Sequence, residues 1–153
     1  MIDMKICDII NAIKNLFHKD YAYDISNPFE IVKVKLKAYN QDENSFIVEN
    51  INTDRYLPKK YMISRTNLVL PLSKKDKKTI ETITNAPFSK NGYCVNKTYK
   101  DRKEIVNCEI ISLIDNTFLL VQFKYPILDM TLNIYYKGGY KILKMEEFMV
   151  KKN

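Results

Sequence analysis

The spacing of the hydrophobic residues changes from helical to alternating near residue 31, and this change is the strongest constraint on the fold. Within 1–19, apolar residues recur at intervals of three and four, which predicts one amphipathic N-terminal helix. Farther on, Val32, Val34 and Leu36 alternate with lysines, which predicts a strand with one buried face and its lysines in solvent. The chain that follows the first helix is therefore predicted to be mainly β.

Short apolar runs separated by polar turns continue to the end of the chain. They predict further strands at 45–51, 56–63, 68–72, 93–99, 105–113, 117–124, 129–136 and 140–144. The lysine-rich run 73–78 predicts a charged connector, and 77–85 predicts a short helix that ends before Pro87. Met145 to Met149 predicts a closing helical turn.

The two strand-rich blocks echo each other in sequence. Residues 43–48 (Glu-Asn-Ser-Phe-Ile-Val) match residues 115–120 (Asp-Asn-Thr-Phe-Leu-Leu) type for type, in a turn followed by a strand. Each block is too small for a sandwich, so we expect two tandem SH3-like barrels, packed together because each alone would be marginally stable. The expected boundaries are an N-terminal helix at 1–19, a first barrel at 20–73, a linker with a short helix at 74–87, and a second barrel at 88–153.

The basic charge leaves two interpretations open. The chain has 25 Lys and Arg against 18 Asp and Glu, a formal net charge of +7. Such a balance favours an acidic partner such as nucleic acid. The bias toward Lys, Asn and Ile is also what an AT-rich genome encodes, and the lysines then simply occupy solvated positions. No apolar run reaches the roughly 18 residues of a membrane helix, so no membrane partner is expected.

The sequence offers little catalytic chemistry. His18 is the single histidine, which excludes a two-histidine metal site, and no nucleophile motif accompanies it. The three cysteines, Cys7, Cys94 and Cys108, form no C-x-x-C pair, and we expect small buried thiols in a reducing compartment. No glycine-rich phosphate loop occurs. We therefore expect a binding protein without cofactor or metal, not an enzyme, whose 11 Tyr and 7 Phe supply rings for recognition or for the core.

Two stretches carry a resemblance to a known family. They are residues 45–52 (Ser-Phe-Ile-Val-Glu-Asn-Ile-Asn) and 61–72 (Tyr-Met-Ile-Ser-Arg-Thr-Asn-Leu-Val-Leu-Pro-Leu). From about residue 20 onward the chain resembles the tandem Tudor domains of SAGA-associated factor 29. That family has a Tyr-x-Val-acid-acid-Ile-acid strand, then a Leu-Ser-Arg segment that leads into apolar-x-Pro-Leu. The resemblance implies two Tudor barrels that bind the histone H3 tail trimethylated on its fourth residue. It also implies a nuclear protein that contacts subunits of a histone acetyltransferase coactivator complex.

The resemblance assigns an aromatic cage for the methylated lysine to the second barrel. Tyr99 and Phe123 match cage residues of the family, and Tyr125 lies close enough in sequence to add a ring. A further ring such as Tyr93 or Tyr136 could replace the second cage tyrosine of the family, which has no counterpart here.

The resemblance assigns the pocket for the histone N-terminus to the first barrel. The acids of the family fall on Asn50 and Asn52, and strand alternation should point the neighbouring Glu49 to the opposite face. Lys124 replaces an acid beside the cage. These changes leave two other functions open: a basic nucleic-acid-binding module, or a scaffold that docks its first helix on a partner.

Overall fold

The computed structural model describes residues 21–51, 59–97, 103–123, 127–129, 134–136 and 139–150. These residues divide into two compact units. The first contains the chain up to Ser26 together with Val32–Leu70, and the second contains Asn27–Ile31 together with the chain from Pro71 onward. The predicted N-terminal helix lies outside the described residues.

The first unit is a five-stranded antiparallel sheet. Its strands are β1 (Tyr21–Asp24), β2 (Val32–Asn40), β3 (Ser45–Asn50), β4 (Lys60–Ser64) and β5 (Leu68–Val69). They lie in the order β4-β3-β2-β1-β5, and a short 3-10 helix, Arg65–Asn67, connects β4 to β5. The alternation predicted for β2 is confirmed, since Val32, Val34 and Leu36 are buried beside Phe46 of β3.

The second unit begins with a helix that the sequence predicted to start later. Helix α1 spans Lys74–Thr84, and Ser73 and Asp76 form a reciprocal capping box at its start. The Asp76 N–H donates to Ser73 Oγ and the Ser73 N–H donates to Asp76 Oδ2, each at 3.1 Å. The helix ends at Asn85, which is left-handed with φ 52°. Ile80 is buried in the core of the second unit, so the segment predicted as a linker contributes to that core.

The second sheet is also antiparallel and five-stranded. Its strands are β6 (Asn91–Lys97), β7 (Lys103–Ile114), β8 (Phe118–Phe123), β11 (Tyr140–Lys144) and β12 (Met149–Val150), in the order β11-β8-β7-β6-β12. A 3-10 helix, Met145–Glu147, connects β11 to β12 where a closing helical turn was predicted. The one strand predicted at 129–136 is instead a separate hairpin of β9 (Ile127–Asp129) and β10 (Ile134–Tyr136).

The two sheets have the same connectivity. In each, four strands form a meander, and the last strand pairs with the first after a 3-10 helix. Each also shifts register once in its second strand, between Leu36 and Ala38 and between Ile110 and Ser112. The mainly β prediction with two strand-rich blocks is confirmed. Over the described residues neither sheet pairs its two outer strands, so neither is a closed barrel.

The pairing registers do not align the two segments that match in sequence, because the structurally equivalent residues are shifted by one position. Phe46 is a core residue at 5% exposure, whereas its sequence match Phe118 is 37% exposed. The register instead equates Phe46 with Leu119, which is 1% exposed. The β2–β3 turn is one residue longer than the β7–β8 turn, and a shift of one residue exchanges the two faces of a strand.

Candidate binding surfaces

Phe123, the predicted cage ring, is a core residue in this structure. It is the last residue of β8, is 4% exposed, and pairs in register with Cys108 of β7. It belongs to the same buried cluster as Cys94, Cys108 and Ile110. A ring that recognises a methylammonium group must open one face to the ligand, and this ring is buried within the cluster.

Of the other predicted cage rings, the structure describes the side chain of Tyr93. Tyr99 and Tyr125 lie outside the described residues. The β6–β7 hairpin continues to the Lys97–Lys103 pair, about 16 Å along the sheet from the Cys108–Phe123 pair. Tyr93 is described, and because it neighbours Cys94 on β6 its side chain is on the opposite face from Phe123. The side chain of Tyr136 is outside the described part of the chain.

Asn50 of the first unit occupies the position equivalent to Phe123. It is the last residue of β3, pairs with Val34, and is 8% exposed. Its N–H donates to the Lys59 carbonyl at 2.8 Å. Asn52 lies outside the described residues. The two predicted subsites therefore have their described members, Asn50 and Phe123, at matching places in the two repeats.

A buried carboxylate that no sequence pattern indicated lies at the same end of the first sheet. Asp24 ends β1 at 9% exposure and accepts hydrogen bonds from the Ser26 N–H at 2.9 Å and the Ser26 hydroxyl at 2.5 Å. The Tyr61 hydroxyl on β4 donates to its other oxygen at 2.7 Å. Since β1 and β4 are not neighbours in the sheet, this bond crosses the interior of the unit. Burial, and then the hydrogen bond to Asp24, raise the pKa of Tyr61 well above its usual value.

In the second unit, two cysteine thiols lie at the corresponding end of the sheet. Cys94 is equivalent to Asp24 by register, and Cys94 and Cys108 are free and buried. A hydrogen bond between them lowers the pKa of Cys94 and raises that of Cys108, which burial raises further. At 1% and 5% exposure they are structural rather than reactive thiols. The prediction of buried cysteines is confirmed for these two, and Cys7 lies outside the described residues.

The outward face of the first sheet concentrates positive charge, and we call it the lysine face. Its members are Tyr21 of β1, Lys33, Lys35 and Lys37 of β2, Glu49 of β3, and Lys60 of β4. Four of these residues lie side by side in one row across strands β1 to β4, and we call this row a rung. Tyr21 pairs with Lys35, Lys35 with Glu49, and Glu49 with Lys60. Glu49 thus points away from Asn50, as predicted.

Glu49 is the single carboxylate among the four lysines of the lysine face. Lys37 Nζ lies 2.9 Å from Glu49 Oε2. This hydrogen bond lowers the pKa of Glu49, burial opposes the shift, and the charges of Lys37, Lys59 and Lys60 lower the pKa further. Lys33 Nζ lies 4.5 Å from the centre of the Tyr21 ring, which is 39% exposed.

The β2 lysines have no lysine at the equivalent described positions of the second unit. By register, Lys33, Lys35 and Lys37 correspond to Asn107, Glu109 and Ile111. The row of three lysines along β2 is thus not repeated at the equivalent positions of β7.

Metal-binding and membrane-spanning features are absent from the part of the chain that the structure describes. No group of three or more His, Cys, Asp or Glu could hold a metal ion there. No helix in those ranges is long and apolar enough to cross a membrane.

No protein-family profile and no curated protein matches the chain.

Proposed function

We propose that the chain is a non-enzymatic binding module of two tandem SH3-like, Tudor-type barrels that binds the histone H3 tail trimethylated on its fourth residue. The observation that carries the proposal is the repeated strand order, with a 3-10 helix before the last strand in both units. The order of the sequence motifs supports the same family. On this proposal the protein is nuclear and contacts subunits of a histone acetyltransferase coactivator complex.

The proposed reader assigns one task to each unit. Tyr99, Phe123 and Tyr125 would enclose the methylammonium group, with each favourable ring contact contributing about 0.5–2 kcal/mol. Asn50 and Asn52 would accept hydrogen bonds from the histone N-terminus, and such bonds are weaker than those to carboxylates. The cage requires the connection that carries Tyr99 to reach back toward Phe123, and requires the Phe123 ring to become accessible.

A calorimetric titration with two H3 tail peptides, unmodified and trimethylated on the fourth residue, tests this function. We expect tighter binding of the methylated peptide and loss of that preference in Tyr99→Ala and Tyr125→Ala. Tyr21→Ala is the matched control, because it removes an exposed tyrosine of the first unit. Equal heats for the two peptides, or no heat with either, would contradict methyl-lysine reading.

The alternative is a basic nucleic-acid-binding or scaffold module of the same fold that does not read methyl-lysine. It is favoured by the burial of Phe123 at 4% exposure inside an apolar cluster. In that case Phe123 serves the core, and absence of binding to either peptide is the expected result. The scaffold version depends on the segment 1–19, which lies outside the described residues.

A further inference from the structure

We propose that the lysine face of the first sheet binds the backbone of single-stranded nucleic acid, with Tyr21 as a stacking platform for a base. The inference rests on the nucleic-acid alternative and gives it a site. It uses neither Phe123 nor the second unit, so it is independent of methyl-lysine reading.

The arrangement of the lysines supports binding along a nucleic-acid backbone. Lys33, Lys35 and Lys37 project from one face of β2, and alternate residues of a strand are about 7 Å apart. Lys60 extends the row across the sheet, two strands away from β2. Such a row follows a linear series of phosphates, whereas a compact anion would contact only one or two of its members.

The charge balance of the lysine face is strongly one-sided. Four lysines share this face with Glu49, and Glu49 is already engaged by Lys37 at 2.9 Å. The next acids along the β2–β3 hairpin, Asp42 and Glu43, are exposed in its turn, at the far end from Lys60. Lys33 and Lys60 lie at the other end of the face, where they present positive charge to a ligand.

Tyr21 favours nucleic acid over an acidic peptide as the ligand. Its ring is exposed, stands in the same rung as Lys35, and has Lys33 Nζ 4.5 Å from its centre. Cationic residues beside an exposed ring are the usual elements of single-strand binding, in which phosphates contact the cations and a base stacks on the ring. An acidic peptide would use the lysines and gain little from the ring.

The test measures binding of a fluorescent oligothymidylate to the full chain as a function of salt. We expect affinity to fall as salt rises. In Lys33→Gln/Lys35→Gln/Lys60→Gln we expect it to fall about tenfold or more, with the slope of log K against log salt reduced by about 0.7 for each phosphate that the variant no longer neutralises. The matched control is Lys74→Gln/Lys75→Gln/Lys78→Gln, which removes the same charge from exposed positions of α1. An equal fall in affinity in the two triple variants would overturn the site and leave only a net-charge effect.

Two single variants sharpen the assignment. Glu49→Gln releases Lys37 and should tighten oligonucleotide binding. Tyr21→Ala should weaken it about fivefold or more, while leaving binding of a polyglutamate probe unchanged. Polyglutamate binding at least as tightly as the oligonucleotide would overturn nucleic acid as the ligand. No salt-dependent oligonucleotide binding by the wild-type chain would reject both the site and the nucleic-acid alternative, without bearing on the H3 titration.

Discussion

The same end of the two sheets is polar in the first unit and apolar in the second. The register equates Asp24 with Cys94 and Asn50 with Phe123, so a carboxylate and an amide stand where a thiol and a phenyl ring stand in the repeat. Tyr61, whose hydroxyl donates to Asp24, is equivalent to Lys141. One chain path is therefore compatible with two different interiors.

The difference shows how each interior is held together. In the first unit a hydrogen bond from β4 to β1 crosses the interior and satisfies a buried carboxylate. In the second unit apolar side chains fill the equivalent space, with Ile80 of α1 added to the cluster. Truncation should therefore damage the second unit most, and removal of polar partners should damage the first.

The largest effect is expected from Phe123→Ala. Emptying a buried phenyl site typically lowers the free energy of unfolding by about 3–5 kcal/mol, and Phe123 is 4% exposed. Urea denaturation measures the decrease. Ile105→Ala, at 65% exposure on the same sheet, is the control and should stay within about 0.5 kcal/mol of wild type. A decrease below about 1 kcal/mol in Phe123→Ala would show that the ring is not tightly packed, which would favour its role in a cage.

A smaller but clear effect is expected from Asp24→Ala. The substitution leaves the Tyr61 hydroxyl and the Ser26 donors without their acceptor, which should cost about 1–3 kcal/mol of unfolding free energy. Asp24→Asn keeps one acceptor and should be less destabilised. Asp42→Ala, in the exposed β2–β3 turn, is the control by denaturation. If Asp24→Ala were as stable as the control, the network would not support the first unit.

The sequence was most informative where one physical pattern determines the structure. Alternation in β2 marked the core face and the lysine face, because a strand places successive side chains on opposite sides. Burial that depends on contacts between distant strands was harder to predict from the sequence. The burial of Asp24 depends on Tyr61, 37 residues away, and no local pattern links the two. The one-residue offset between the repeats depends on turn length, which a match of residue types does not report.

The candidate site was harder to predict than the fold. Phe123 was assigned to a cage because it matches a motif, but its exposure is set by the cluster around it, to which Cys94 and α1 contribute. The start of α1 was missed because a lysine run resembles a connector, although Ser73 and Asp76 form a capping box. A motif or a charge pattern thus indicates which residues could bind a ligand, whereas packing decides which of them a ligand can reach.

Tyr61→Phe tests how much the Tyr61 hydroxyl stabilises the first unit, at neutral and at alkaline pH. Removing the hydroxyl eliminates the bond to Asp24 and should lower the free energy of unfolding by about 1 kcal/mol at neutral pH. The folded pKa of Tyr61 is raised above its ordinary value of 10.0, so the folded state holds the proton more tightly than the unfolded state. Its contribution is complete below pH 10 and declines as the pH rises above that value.

The stability of the wild type should accordingly fall more steeply above pH 10 than that of Tyr61→Phe, as followed by urea denaturation across that range. Parallel slopes for wild type and Tyr61→Phe would show that the Tyr61 proton is not linked to folding.

The smallest effect concerns the Lys37–Glu49 pair on the lysine face, which has Ile111 and Gln122 in its place in the second unit. Solvent surrounds the pair, so Glu49→Gln should barely change the thermal midpoint at neutral pH. The sign of its pH dependence is still defined. The folded pKa of Glu49 lies below its ordinary value of 4.5, so its contribution is present above that pH and disappears as pH falls through the folded pKa. Any difference between wild type and Glu49→Gln should therefore vanish in acid and at high salt. A difference that persists in acid would assign the effect to side-chain packing on β3 rather than to charge.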